Sequence, residues 1–253
     1  MRSGQKLQSK TLACSARDRL IVALDVPTLD EAKQLAEKLF EHVGVFKVGL
    51  ELYARHGTSV FDALQQFERP IFFDCKFLDI PTTVARASQQ LVGQNILMFN
   101  VHATGGAAML KATAEAVHSQ ARTKNVAPPK ILAVTILTSL GDAALRDELG
   151  WNIRVDQAVE KLAKLSRDCG VDGVVASALE AARIREICGE NFLIVTPGVR
   201  PDWAAADDQV RAVTPAQALA NGADYIVVGR PITRHENPAD AARKILEEVA
   251  SHL

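Results

Sequence analysis

The sequence predicts an α/β fold, a single-domain (β/α)8 or TIM barrel, and three observations lead to it. Eight short apolar runs rich in β-branched residues recur along the chain. The segments between these runs carry helical periodicity. The length of 253 residues matches the ~250 residues typical of such barrels. Strands that are apolar throughout and alternate with helices indicate a parallel sheet covered by helices, and eight such units are expected to close.

The eight predicted strands follow one another in chain order. They are LIVALDV (20–26), VFKVGL (45–50), IFFDCKF (71–77), ILMFNVHA (96–103), KILAVTIL (130–137), VDGVVAS (171–177), FLIVTPG (192–198) and YIVVGR (225–230). A doubly wound open sheet is the structural alternative. That fold usually has fewer strands and a Gly-rich first turn, whereas the first turn here reads LDVPTLD.

The connecting segments predict amphipathic helices. Thr28 is a predicted N-cap, and Glu31 three residues later completes the pattern of a capping box. The helix that follows has an apolar face at helical spacing, formed by Leu29, Ala32, Ala36 and Leu39. The segment 154–168 repeats this pattern with Val155, Val159, Leu162 and Leu165.

Charge and hydropathy exclude several classes of partner. The net charge of −1 argues against nucleic acid or an acidic membrane surface, because binding to either depends on a strongly positive surface. No apolar stretch approaches the ~18 to 20 residues that a membrane-spanning helix needs. A local site for an anion remains compatible with this charge.

Cysteine usage and the chain start indicate a cytoplasmic protein. The four cysteines show no CxxC and no spacing typical of a zinc site or a disulfide framework. Residues 1–17 are basic and polar, without the apolar core of a secretory signal. They are interpreted as an N-terminal extension, which leaves 18–253 as the barrel domain.

The segment FFDCKFLDIPTT (72–83) places two carboxylates and a lysine within six residues at the end of an apolar run. Side chains two apart on a strand share a face, so Asp74 and Lys76 are expected to point the same way and Cys75 the opposite way. Asp79 falls in the loop that follows and does not belong to that face. An ion pair that merely caps the strand is the structural interpretation of the same residues.

Further polar residues lie where the predicted strands end, which is where barrels of this kind carry their reactive groups. They are Asp25, Lys47, His102, Thr138, Arg200 and Arg230. TPGVR (196–200) and VVGR (227–230) each combine glycine with arginine after the last two strands, which indicates a phosphate site. His102 is assigned no catalytic role, and Asp172 and Asp224, at the opposite end of the barrel, are interpreted as structural.

Written as D-x-K-x-x-D-I-x-x-T, the segment from Asp74 to Thr83 resembles the signature of the orotidine 5′-monophosphate decarboxylase family, in its bacterial form. The resemblance extends over nearly all of residues 19–250. It includes, in the order of the family, LDV (24–26), FKVGLEL (46–52), NVHATGG (100–106), LTS (137–139), TPGVR (196–200) and VVGRPIT (227–233).

The resemblance implies a role for each matching position. Lys76 matches the catalytic lysine, and Asp74 and Asp79 complete the charged catalytic group. The implied substrate-binding residues are Asp25 and Lys47 at the ribose hydroxyls, Asp74 beside Lys47 and Lys76, Asp79 and Thr83 from the neighbouring subunit, Thr138 at the pyrimidine, Gln209 on a closing loop, Gly229 and Arg230 at the phosphate, and Arg200 at a further ligand contact.

The same resemblance implies an activity, which is the decarboxylation of orotidine 5′-phosphate to UMP and CO₂. This is the last step of de novo UMP, and hence pyrimidine, biosynthesis. It implies neither a cofactor nor a metal, and a homodimer whose two active sites are shared between subunits. A lysine ammonium beside C6 of the pyrimidine would stabilise the developing carbanion and then supply its proton.

Two alternatives remain open on the sequence. One is a metal-dependent sugar-phosphate decarboxylase or epimerase of the same wider family, but DIPTT (79–83) and FKVGLEL (46–52) favour the nucleotide enzyme. The other is a non-catalytic barrel that binds a phosphate ligand. Retention of every charged residue of the motif disfavours that alternative.

Overall fold

A computed structural model describes residues 15–204 and 213–251. Eight parallel strands close into a barrel and follow each other in chain order around it, which confirms the predicted fold class. The strands are β1 (Leu20–Ala23), β2 (Val45–Val48), β3 (Ile71–Phe77), β4 (Ile96–His102), β5 (Lys130–Val134), β6 (Gly173–Val175), β7 (Leu193–Thr196) and β8 (Tyr225–Val228).

Helices connect the strands in the described part of the chain. They are α1 (Ala16–Arg19), α2 (Leu29–Leu39), α3 (Leu50–His56), α4 (Ser59–Gln65), α5 (Pro81–Gln89), α6 (Gly106–Lys124), α7 (Val155–Asp168), α8 (Ala178–Cys188), α9 (Pro215–Ala220), α10 (Arg230–Thr233) and α11 (Pro238–Ala250). A 3₁₀ turn (Ala103–Gly105) precedes α6, and a π-helical segment (Ala144–Glu148) lies between β5 and α7.

Two apolar cores explain why the strands are apolar throughout. One core fills the barrel interior and contains Ile21, Val45, Phe72, Met98, Leu132, Val134 and Val195. The other lies between the strands and the helices and includes the alternate residues of the same strands, such as Phe73 and Phe99. Because both faces of each strand are buried, polar side chains on a strand have to be satisfied at its ends.

Helix α2 shows how the sequence fixes a local element. Its apolar face is buried against the outer core through Ala32, Ala36 and Leu39. The Thr28 hydroxyl accepts a hydrogen bond from the Glu31 backbone N–H at 3.3 Å and donates to the Glu31 carboxylate at 2.8 Å. The predicted N-cap is therefore confirmed, but the capping box is not formed, because the carboxylate binds the threonine hydroxyl instead of the backbone N–H of residue 28.

The amino-terminal end of the barrel is stabilised by carboxylates that bind backbone groups. Asp172 accepts from the Ile131 backbone N–H at 2.9 Å, and Asp224 accepts from the Ile194 backbone N–H at 2.7 Å. Both residues therefore have the structural role that the sequence predicted. Near the amino terminus of the chain, Ala16 in α1 packs against the outer core. This residue lies two positions before residue 18, where the barrel domain was predicted to start.

Within residues 15–204 and 213–251, no helix is both long enough and apolar enough to cross a membrane.

Candidate active site

An irregularity of β3 shapes the carboxyl-terminal end of the barrel. Phe73 pairs with Phe99 and Phe77 pairs with Val101, so three residues of β3 lie opposite the single residue 100 of β4. Lys76 has a φ of 48°, a left-handed conformation that is uncommon for a residue with a Cβ. Such bulges are frequent beside active sites, where they redirect side chains.

Four charged side chains form a continuous chain across this end of the barrel. Lys47 Nζ lies 2.8 Å from Asp25 Oδ1 and 3.3 Å from Asp74 Oδ2. Lys76 Nζ lies 2.6 Å from Asp74 Oδ1. The predicted meeting of Asp74 and Lys76 is therefore confirmed. Cys75 points the other way, into the outer core, where burial raises the pKa of its thiol to about 12.

The charges at the centre of this chain are largely removed from water. The Lys47 side chain is 9% exposed and the Asp74 side chain 15%. Burial alone would raise the pKa of the Asp74 carboxyl. The positive charges of Lys47 and Lys76, together with hydrogen bonds from Lys76 and Asn100, outweigh that effect and lower the pKa below its usual value. Asp74 is accordingly ionised at neutral pH.

Asn100 is a component of the site that the sequence reasoning missed. Its side chain is fully buried, and its amide nitrogen donates to Asp74 Oδ1 at 2.6 Å. Its amide oxygen accepts from the Lys76 backbone N–H, also at 2.6 Å. The available signal was the alternation of β4, because Asn100 stands two residues from Met98 on the inward face and is polar within an apolar strand.

His102 also faces this end of the barrel. Its side chain is half-buried, and burial together with the positive charge of Lys76 lowers the pKa of the imidazole. A neutral imidazole at neutral pH follows from this direction of shift. No hydrogen bond joins His102 to the charged chain among the described contacts.

A cavity of about 220 Å³ adjoins Lys76. Phe72, Val134 and Val175 form apolar walls, Lys47, Asp74 and Lys76 form a charged side, and Thr138 lies at its margin. It opens into a larger space of about 510 Å³ along the residues after β5. A cavity with apolar walls and a single charged side is suited to a flat ring that carries a few polar substituents.

A second cavity of about 270 Å³ continues from the first and shares Lys47, Asp74, Pro197 and Val227 with it. Its far wall contains the predicted residues Arg200, Gly229 and Arg230, and Asp25 lies on the near wall. Gly198, also in this wall, has a φ of 74°, which glycine adopts without strain. Backbone and guanidinium groups thus converge where an anion could bind.

Gly49 permits the close approach of the charged chain to the start of α3. A Cβ at this position would lie 2.8 Å from Asp25 Oδ1 and 3.1 Å from Lys47 Nζ. Both atoms belong to the charged chain, so any larger residue would have to displace it.

Two of the predicted site residues that the structure describes, Asp79 and Thr83, are not part of this arrangement. Asp79 and Thr83 are exposed at the start of α5, and Asp79 Oδ1 accepts from the Ile80 backbone N–H at 2.6 Å. In the described part of the chain, neither residue lines the two cavities. Gln209 lies outside the described residues.

Fold and site together define a class of protein, which is a (β/α)8 barrel with a lysine–carboxylate centre and an adjoining cavity lined by two arginines at the carboxyl-terminal ends of its strands. Across residues 15–204 and 213–251, no three His, Cys, Asp or Glu side chains are grouped as a metal site would require.

Comparison with known proteins identifies the family. The model of the "Orotidine 5′-phosphate decarboxylase / HUMPS family" matches residues 18–245, and the chain belongs to this family. The orotidine 5′-phosphate decarboxylase of Heliobacterium modesticaldum is 46% identical over 238 residues, which cover 94% of this chain and 98% of the relative. The orotidine 5′-phosphate decarboxylase of Moorella thermoacetica is 48% identical over 234 residues, which cover 92% of this chain and 93% of the relative.

Solved structures agree with this assignment. The crystal structure of orotidine 5′-phosphate decarboxylase from Lactobacillus acidophilus superposes with a TM-score of 0.80 at 37% sequence identity. The match covers 91% of this chain and 98% of that chain. Relatives that match almost the whole length of this chain therefore share one name, and the one with a solved structure has the same architecture.

Proposed function

We propose that this chain catalyses the decarboxylation of orotidine 5′-phosphate to UMP and CO₂, the last step of de novo UMP biosynthesis. Family membership and the names of relatives that match nearly the whole chain support this activity. The observation that carries the proposal is the charged chain from Asp25 to Lys76, which runs between an apolar cavity and an arginine-lined one.

The two adjoining cavities suggest how the substrate lies. The pyrimidine would occupy the apolar cavity beside Lys76, with Thr138 at its edge. The ribose would pass Asp25 and Lys47, and the phosphate would reach Arg230 and the backbone at Gly229. Arg200, in the same wall, is assigned a further contact with the ligand, and Gln209 is proposed to contact phosphate and base.

Lys76 would act on the reacting carbon. The bond between C6 and the carboxylate breaks, CO₂ leaves, and the electron pair stays on C6. The Lys76 ammonium stabilises that charge and then transfers a proton from Nζ to C6, which gives UMP. Asp74 fixes the ammonium at 2.6 Å, so little rearrangement is required during the step.

Binding energy from the phosphate would serve the reaction at a distance. The arginine-lined cavity adjoins the Lys76 cavity but does not contain Lys76. Interactions there can therefore position the pyrimidine without touching its C6 carbon.

A direct assay tests the activity. The ultraviolet absorbance change on loss of orotidine 5′-phosphate should be catalysed by the wild type and reduced at least about 100-fold by Lys76→Ala. Lys130→Ala is the matched control, because Lys130 pairs with Asp172 at the opposite end of the barrel, and it should keep wild-type turnover. A wild type that binds UMP without consuming orotidine 5′-phosphate would identify the non-catalytic alternative.

A chelator addresses the other alternative. Turnover of orotidine 5′-phosphate is expected to be the same with and without EDTA, because the proposed chemistry runs through an ammonium group. A sugar-phosphate enzyme of the wider family would instead turn over a pentulose phosphate, lose that activity in EDTA and regain it with Mg²⁺.

We further propose a homodimer with shared sites. Asp79 and Thr83 lie away from their own Lys76 cavity, and they stand beside two exposed apolar side chains, Leu78 at 56% and Ile80 at 68% exposure. Exposed apolar residues next to polar ones are typical of a protein interface. A two-fold partner covering Leu78 and Ile80 would receive Asp79 and Thr83 in its own site.

Mixed dimers test this arrangement. Lys76→Ala and Asp79→Ala homodimers should each be nearly inactive. Unfolded and refolded together, they form about half mixed dimers, each with both defects in one site and none in the other, which gives roughly a quarter of wild-type activity. Asp74→Ala mixed with Lys76→Ala is the control and should give no rescue, since both residues serve their own subunit. Co-purifying chains without recovered activity would place Asp79 in its own subunit's site.

A further inference from the structure

We infer that Asn100 is a positioning residue for the reaction, which holds the Lys76 ammonium in place from both ends. This inference rests on the proposed decarboxylation. Its basis is geometric, because one fully buried amide contacts both the backbone and the carboxylate partner of the same lysine.

The backbone contact fixes where the lysine side chain begins. Lys76 adopts a φ of 48°, and an uncommon conformation of this kind persists where surrounding contacts hold it. Its backbone N–H donates to Asn100 Oδ1 at 2.6 Å. The Asn100 carbonyl also accepts from the Cys75 thiol at 3.1 Å. Asn100 thus binds the bulge through side chain and main chain alike.

The carboxylate contact fixes where the lysine side chain ends. Asp74 Oδ1 accepts from Lys76 Nζ and from the Asn100 amide nitrogen, each at 2.6 Å. An amide that donates to this oxygen holds the carboxylate against rotation and therefore holds the ammonium. Asparagine suits both positions, because its amide carries one acceptor and two donors in a fixed plane.

Neighbouring groups leave this double contact to Asn100. Lys47 binds the other carboxylate oxygen of Asp74, at 3.3 Å, and thus does not replace the Asn100 donor. His102, on the same face of β4, makes no described hydrogen bond to Asp74 or to the Lys76 backbone. The Lys76 backbone N–H therefore has Asn100 as its described acceptor.

The first test is Asn100→Ala, with Thr113→Val as the matched control. Thr113 is also fully buried and donates to the Met109 carbonyl at 2.8 Å within α6, away from the site. Per folded site, counted by titration with UMP, Asn100→Ala should lower kcat roughly 10- to 100-fold and change the UMP dissociation constant less than about threefold. The control should keep wild-type kcat per site. A kcat per site for Asn100→Ala within about twofold of wild type would overturn the inference.

The second test is the pH dependence of kcat for Asn100→Asp. Substitution of a residue with a merely structural role would not change this pH dependence. One introduced oxygen can still accept from the Lys76 N–H, but the other faces the Asp74 carboxylate. Two ionised carboxylates repel, whereas a proton between them restores the lost donor. The ratio of variant to wild-type kcat should therefore rise at least about fivefold as the pH falls from about 8 to about 5. A ratio independent of pH would refute the contact with Asp74, and this arm decides the matter if Asn100→Ala fails to fold.

Crystal structures separate failure of this inference from failure of the proposed function. Absence of wild-type turnover would refute the function alone. In either case, Asn100→Asp at pH 8 should show Lys76 Nζ displaced from Asp74 relative to wild type. An unchanged Lys76 conformation and an unchanged contact between Nζ and Asp74 would overturn the positioning role, whatever the activity.

Discussion

Asp74→Asn is the most revealing single substitution, because one carboxylate holds two ammonium groups. Asp74 contacts Lys76 Nζ at 2.6 Å and Lys47 Nζ at 3.3 Å. Asparagine keeps the shape of the side chain but removes the negative charge. Two ammonium groups would then share a largely buried space, with Asp25 left to accept from Lys47 at 2.8 Å.

The contacts set the expected size of the effect. At an effective dielectric constant of about 20, opposite charges near 3 Å attract by about 5 to 6 kcal/mol before the cost of desolvation. Removing one partner of a buried ion pair usually destabilises a protein by about 3 to 5 kcal/mol. Lys47 keeps Asp25, and the Lys76 side chain is 29% exposed. We therefore expect the free energy of unfolding to fall by about 3 kcal/mol.

Urea unfolding at neutral pH measures this change, and a second substitution isolates its cause. Adding Lys76→Met to Asp74→Asn removes the ammonium group that Asp74→Asn leaves without a carboxylate partner and should recover about 2 kcal/mol. Both variants should be inactive, so the recovered stability would come without activity. Asp147→Asn, which breaks an exposed ion pair with Arg146, is the control and should leave the unfolding midpoint unchanged.

Two results would contradict this reasoning. Stability of Asp74→Asn within about 1 kcal/mol of wild type would mean that water solvates the ammonium groups. A double variant no more stable than the single one would mean that the lost hydrogen bonds, and not the charges, account for the effect.

Three further predictions follow from the site. The folded-state pKa of Asp74 is lowered, so wild type should be more stable than Asp74→Asn by the full amount above about pH 4, and this stability difference should shrink as the pH falls through the lowered pKa. Urea unfolding at a series of pH values measures the difference. A constant difference down to about pH 2 would contradict the shift. Arg230→Ala should weaken inhibition by UMP about 10- to 100-fold and inhibition by uridine much less, since the guanidinium is assigned to phosphate; equal losses would remove that role. Cys75 is buried, and the pKa of its thiol is raised to about 12. It should therefore react with a thiol reagent far more slowly than the half-buried Cys188 in the native protein, and readily in urea, as followed by peptide mass spectrometry. Equal rates for the two cysteines in the native protein would contradict the burial of Cys75.

The barrel was predictable from sequence because burial on both faces leaves a signal in every strand. All eight apolar runs contain the observed strands, but most predicted carboxyl-terminal ends lie too far along the chain. The first run was predicted to reach residue 26, whereas β1 ends at Ala23. Leu24 remains fully buried after the strand ends, so apolar character continues where strand pairing has already stopped.

The site was predictable in part, because alternation identifies shared faces but not backbone irregularities. The spacing of Asp74 and Lys76 was sufficient to bring them together. The left-handed conformation of Lys76 was not predictable, because it depends on pairing with β4 and on the side chain of Asn100. A single strand does not record which residue of its neighbour will lie opposite. Asn100, by contrast, was missed although the alternation of β4 places this polar side chain on the inward face of the strand.

The charged chain differs from an ordinary surface ion network in what lies beneath it. The barrel interior below Lys47 and Asp74 is apolar, with Phe72, Met98 and Leu132 among its residues, and it cannot solvate a charge. Each buried charge is therefore stabilised chiefly by the others. The buried Asp74 carboxylate in turn fixes the Lys76 ammonium at 2.6 Å, and a fixed charge is what electrostatic stabilisation of a carbanion requires. It follows that substitutions within this chain should not add independently: once Asp74 is lost, removing Lys76 as well should cost far less activity than removing it from the wild type.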